Sequence, residues 1–91
     1  MPVLHLKVVG NVQGVGFRWF VCERAARLGV AGWVRNTPSG EVEIAASGDQ
    51  SKLADLEQLV TRGPPGAKVI VVHHVPAPNG ASYPSPFRIE R

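Results

Sequence analysis

The run Gly10-Asn11-Val12-Gln13-Gly14-Val15-Gly16-Phe17-Arg18 contains the residue types that bind an oxyanion. Three of its first seven positions are glycine. Glycine lets successive backbone N–H groups curl toward one point. If a helix follows, its first amides lack internal partners and carry the positive end of the dipole. Such a concavity suits a phosphate group. Arg18 would stand at the helix start, able to give two parallel hydrogen bonds to phosphate oxygens. The run lacks the Lys-Ser/Thr of a nucleotide-binding loop, and its spacing is not that of a dinucleotide fingerprint. Taken alone, it fits equally well a tight connection followed by a solvent-exposed arginine.

A second segment, Gly32 to Glu43, places Asn36 where a strand would enter a turn. Asparagine is common at turns for purely local reasons. Its amide also carries a donor and an acceptor, enough to hold a water molecule. The remaining polar residues suggest less chemistry. His73 and His74 are neighbours on an expected strand and point to opposite faces, so they cannot easily grip one metal. His5 is isolated, and Cys22 reads as a small core filler. Glu23, Asp49, Asp55 and Glu57 read as caps or solvated helix charges. There are no paired carboxylates and no nucleophile–base arrangement. Neither a metal nor an organic cofactor is expected.

The elements that would hold these residues follow from periodicity. Leu4, Leu6 and Val8 alternate with His5 and Lys7, as in a strand with one apolar face. Phe17, Phe20, Val21, Ala25 and Leu28 then form a helical stripe, with Arg24 snorkelling at its edge and Gly29 ending the helix. Ala31 to Asn36 and Glu41 to Ser47 read as a hairpin closed by Thr37-Pro38-Ser39-Gly40. Asp49 or Ser51 would cap a second helix with its core stripe on Leu53, Leu56, Leu59 and Val60. Gly63-Pro64-Pro65-Gly66 stops that helix, and Lys68 to Val75 reads as a fourth strand. Pro76 to Pro86 is loop-like, and Phe87 to Glu90 could add a short strand. The order β-α-β-β-α-β is the split βαβ pattern of an α+β ferredoxin-like sandwich. An antiparallel sheet would carry both helices on one face, with His5, Lys7, Trp33 and Arg35 on the other, mixed and partly solvated.

Ninety-one residues suffice for one domain, expected to span residues 1–91. A single cysteine excludes an internal disulfide and fits a reducing cytoplasm. No stretch approaches the roughly 18 apolar residues of a membrane span, and the amino end lacks a secretory pattern. The formal charge is +3, but the basic residues are scattered without interleaved aromatics. A mildly positive surface that attracts small anions explains this at least as well as nucleic-acid binding does.

Together the two segments resemble the signature of the acylphosphatase family. The first matches Gly-x-Val-Gln-Gly-Val-x-Phe-Arg at Gly10, Val12, Gln13, Gly14, Val15, Phe17 and Arg18. The second matches Gly-Trp/Tyr-Val-x-Asn followed by Gly-x-Val-Glu, at Gly32, Trp33, Val34, Asn36, Gly40, Val42 and Glu43. The Gly63-Pro64 break and the valine-rich strand after it also look like the family. The resemblance implies a metal-free hydrolase of small acyl phosphates, with no nucleic acid or membrane partner and a monomeric state. By the same resemblance Arg18 binds substrate and Asn36 is catalytic. Asn11, Val12, Gln13, Gly14, Val15 and Gly16 would supply the cradle, and Thr37 a supporting hydroxyl. Ser39 departs from the acidic residue common in this turn, and Pro76 to Pro86 looks idiosyncratic. The βαββαβ order also occurs in RNA-recognition domains, which stack bases on aromatics of the central strands; here the strands offer chiefly Trp33. A non-hydrolytic phosphate-binding relative is the third reading. Acylphosphatase-like domains also occur inside larger proteins, and the chain's length is expected to leave no room for another domain.

Overall fold

The computed structural model describes residues 1–90. Its elements are β1 (Val3–Asn11), α1 (Phe17–Leu28), β2 (Ala31–Asn36), β3 (Val42–Ser47), α2 (Gln50–Arg62), β4 (Lys68–His74) and β5 (Arg88–Ile89). The sheet order is β4-β1-β3-β2-β5. Pairings β1–β3, β1–β4 and β2–β3 are antiparallel, and β5 pairs parallel with β2. The α+β ferredoxin-like expectation holds, and β5 makes the sheet mixed at one edge.

Period-two patterning decides which face is buried. Leu4, Leu6 and Val8 of β1, Val34 of β2, and Val42, Ile44 and Ala46 of β3 form one apolar surface. Phe17, Val21 and Ala25 of α1, with Leu53, Leu56 and Val60 of α2, pack onto it. Each fully buried side chain of this kind contributes about 1.5–3 kcal/mol. Phe20, Leu28 and Leu59 lie at the border and are half-buried. Arg24 stacks its guanidinium 5.1 Å from the Phe20 ring centroid and pairs with Glu23, so its stem covers apolar surface as expected. Gly29 ends α1 in the left-handed conformation. Asp49 occupies the N-cap of α2 without a side-chain capping bond, and Ser51 lies inside that helix.

The opposite face departs from the expectation of a partly solvated surface. Arg35 is exposed, and Lys7 and Trp33 are half-buried, but His5 is only 4% exposed. The proline-rich segment crosses over it. His5 Nε2 and the Tyr83 hydroxyl are hydrogen-bonded at 2.6 Å, and the rings meet edge-on at 82°. The Gly32 amide donates to the Pro84 carbonyl at 2.8 Å, which ties the same segment to β2. Burial lowers the proton affinity of His5, and the Glu43 carboxylate partly offsets this. His5 is thus held in place by a partner 78 positions away that strand periodicity could not reveal.

Cys22 is half-buried; its thiol donates to the Phe87 carbonyl at 3.3 Å, and burial pushes its pKa up. His74 contacts the Glu57 carboxylate at 2.8 Å across the α2–β4 boundary. Among the described residues no helix is long and apolar enough to cross a membrane.

Candidate active site

Strand β1 loses its regular ladder between Val9 and Gly10, where a register shift bends the chain toward the loop. A Cβ at Gly10 would lie 2.1 Å from the Lys68 carbonyl oxygen, so only glycine permits this close approach to β4. The loop then turns through Gly14 and Gly16, at φ 77° and 74°. L side chains rarely adopt that conformation, and the space in front of both glycines is empty to 4 Å. Gly16 occupies the N-cap of α1, and no side chain caps the helix. Its first amides are therefore left for a ligand or water.

A cleft of about 310 Å³ opens at this helix end. Val12, Gly14, Gly16, Phe17, Arg18, Trp19, Asn36 and Ile89 line it. Arg18 is half-buried and makes no ion pair among the described residues. Among the described residues it is the only charged residue of the lining, so these place a guanidinium and a helix N-terminus in the cleft with no carboxylate beside them.

Asn36 arrives from the end of β2. It is two residues beyond the buried Val34, and so shares the helix-facing side of the sheet. Its Oδ1 is buried and has no hydrogen-bond partner among the described residues. Leaving such an acceptor unsatisfied costs about 1–3 kcal/mol, and such groups are uncommon in folded proteins.

The other expected site residues lie outside this lining. Asn11 is still in β1, opposite Lys68. Val15 packs against the core. The Gln13 side chain leaves the loop and donates from Nε2 to the carbonyls of Thr37, at 3.1 Å, and Glu41, at 2.8 Å. Thr37 Oγ1 accepts from the Glu41 amide at 3.1 Å and meets Ser39 Oγ at 3.1 Å, so its hydroxyl closes the hairpin turn. Gln13 and Thr37 therefore fasten the glycine loop to the hairpin that carries Asn36. Trp19 and Ile89 join the cleft although no sequence pattern marks them. Trp19 is merely the residue after Arg18, and Ile89 is brought in by parallel pairing with Val34.

A family profile described as acylphosphatase matches residues 4–89. An acylphosphatase of Bacillus pumilus is 42% identical over 86 residues, covering 94% of each chain. One from Koribacter versatilis is 55% identical over 62 residues, which is 68% of this chain; the match spans only 56% of that relative's length. The crystal structure of acylphosphatase from Bacillus subtilis superposes with a TM-score of 0.83 at 36% identity, covering 100% of both chains.

Proposed function

The chain belongs to the acylphosphatase family, and from that premise we propose that it hydrolyses the carboxyl–phosphate bond of small acyl phosphates, releasing a carboxylate and inorganic phosphate. The observation that carries this reading is the buried, unpartnered Oδ1 of Asn36 in the same cleft as Gly14, Gly16 and Arg18.

The chemistry asks little of the protein. The departing carboxylate is the conjugate base of an acid with a pKa of about 4, so it leaves without a general acid at neutral pH. What remains is to hold the phosphoryl group, spread its charge and aim a water in line. In this reading the main-chain amides of residues 11–16 and the first turn of α1, with the Arg18 guanidinium, surround the equatorial oxygens. Such preorganised donors need no reorganisation as charge shifts in the transition state. Asn36 Oδ1 accepts a hydrogen bond from the attacking water and orients it. The amide is too weak a base to take the proton, which passes to a phosphoryl oxygen. Gln13 and Thr37 act at one remove, by holding loop and hairpin in register. No step requires a metal or an organic cofactor.

The reading also takes the protein to work as a monomer in a reducing cytoplasm and not to bind nucleic acid. The lone cysteine and the scattered basic residues support it. The test is hydrolysis of acetyl phosphate and benzoyl phosphate with and without EDTA. Activity should persist with the chelator. Arg18→Ala should mainly raise KM, whereas Asn36→Ala should remove turnover and spare phosphate affinity. Equal turnover by wild type and Asn36→Ala would overturn the assignment of the water-holding role.

A further inference from the structure

We propose that Trp19 and Ile89 form the acyl side of the cleft and make the enzyme favour acyl phosphates whose acyl group is apolar. The proposal rests on the phosphoryl-binding reading above and extends it to the other half of the substrate.

The lining divides by chemistry. Gly14, Gly16, Arg18 and Asn36 are the polar half, and Val12, Phe17, Trp19 and Ile89 the apolar half. Val12 and Phe17 are each 1% exposed, so the core already uses their surface. Trp19 is 66% exposed and Ile89 40% exposed. These two retain apolar area that a ligand can cover. Single exposed hydrophobic residues are ordinary on protein surfaces. This pair is different because both members border one cleft, from separate elements, beside the polar groups proposed to hold phosphate. Apolar walls with a few convergent polar groups are the usual make-up of a small-molecule site.

Position narrows the ligand further. Trp19 and Arg18 line the same cleft at the start of α1, so a group attached to a phosphoryl held by Arg18 would extend along the wall that carries the indole. That ring makes no aromatic or cation–π contact within the described fold, which leaves it free to stack on a planar group. Ile89 is brought to the same cleft by the pairing of β5 with β2.

The test compares kcat/KM for benzoyl phosphate and acetyl phosphate in wild type, Trp19→Ala, Trp19→Phe and Ile89→Ala. Wild type should favour benzoyl phosphate. Trp19→Ala should lower the benzoyl-to-acetyl ratio about tenfold, chiefly through KM, as loss of an apolar contact does. Trp19→Phe should restore most of the preference, and Ile89→Ala should lower it by a smaller factor of about three. A second measurement needs no variant: in wild type, benzylphosphonate should inhibit more strongly than methylphosphonate. Unchanged substrate ratios in both alanine variants, or equal inhibition by the two phosphonates, would overturn the acyl assignment while hydrolysis itself persists. Wild type inactive toward both acyl phosphates would instead overturn the hydrolase reading, and this proposal with it.

Discussion

Two polar groups are buried on opposite sides of the same sheet, and the fold treats them in opposite ways. On one side the His5 imidazole meets the Tyr83 hydroxyl at 2.6 Å under the proline-rich segment. On the other, Asn36 Oδ1 is buried with no hydrogen-bond partner among the described residues. Folding alone favours the first arrangement, because an unmade hydrogen bond in the interior costs about 1–3 kcal/mol. Nothing in the fold offsets that cost at Asn36. A group kept ready for a ligand offsets it only when the ligand is bound. The satisfied pair therefore supports the fold, whereas in the proposed function the unsatisfied group is reserved for chemistry.

Substitutions should separate these roles. The largest effect is expected at Asn36. Asn36→Ala should lower kcat about a hundred- to a thousandfold, the loss usual for one preorganised transition-state contact. Thermal unfolding of the same variant should show no loss of stability, since the unsatisfied acceptor is gone. A large fall in Tm would break the contrast. Next comes Gln13→Ala, which removes the two bonds from Nε2 to the Thr37 and Glu41 carbonyls. It should cost about 1–3 kcal/mol in denaturant unfolding and roughly tenfold in kcat, because loop and hairpin lose register. Gln13→Glu replaces the donor with an acceptor and should not rescue either quantity.

The other side of the sheet should respond in stability alone. Tyr83→Phe should cost about 1 kcal/mol, a Tm shift of roughly 4–8 °C for a chain of this size, with kcat unchanged. The smallest effect is the pH dependence. Burial lowers the pKa of folded His5 despite the nearby Glu43, so the unfolded chain takes up the proton first as pH falls. The contribution is full above the unfolded value of about 6.5 and is lost as pH drops through the lower folded value. Denaturant midpoints between pH 7 and pH 5 should fall less steeply in His5→Gln than in wild type. An unchanged slope would remove His5 from the account.

How much of this could be read in the residues themselves differs between the two sides. The bounds of β2, the Gly29 helix end and the β-α-β-β-α-β order follow from local periodicity and glycine placement, which need no knowledge of distant contacts. Arg18 and Asn36 stand in long, specific patterns, and both line the same cleft. The burial of His5 was not legible. Period-two alternation assigned it to the outer face correctly, but its cover comes from Tyr83, in a segment without periodicity. Trp19 and Ile89 were hidden for the same reason. A residue's exposure beside a cleft depends on which strand edge the chain's last elements join. Thr37 shows the converse: its proximity to Asn36 was legible, but the direction of its hydroxyl is set by the Glu41 amide and Ser39.

The place of β1 in the sheet has a kinetic consequence. It lies between β3 and β4, so the strand that leads into the glycine loop pairs with residues from the far part of the chain. Such non-local closures slow folding, because chain entropy is lost before the contacts that reward it form. The register shift after Val9 and the close approach of Gly10 to Lys68 belong to this β1–β4 pairing. Phosphate recognition should therefore emerge late, with the final long-range pairing, and a refolding chain should regain its helical signal well before it regains turnover.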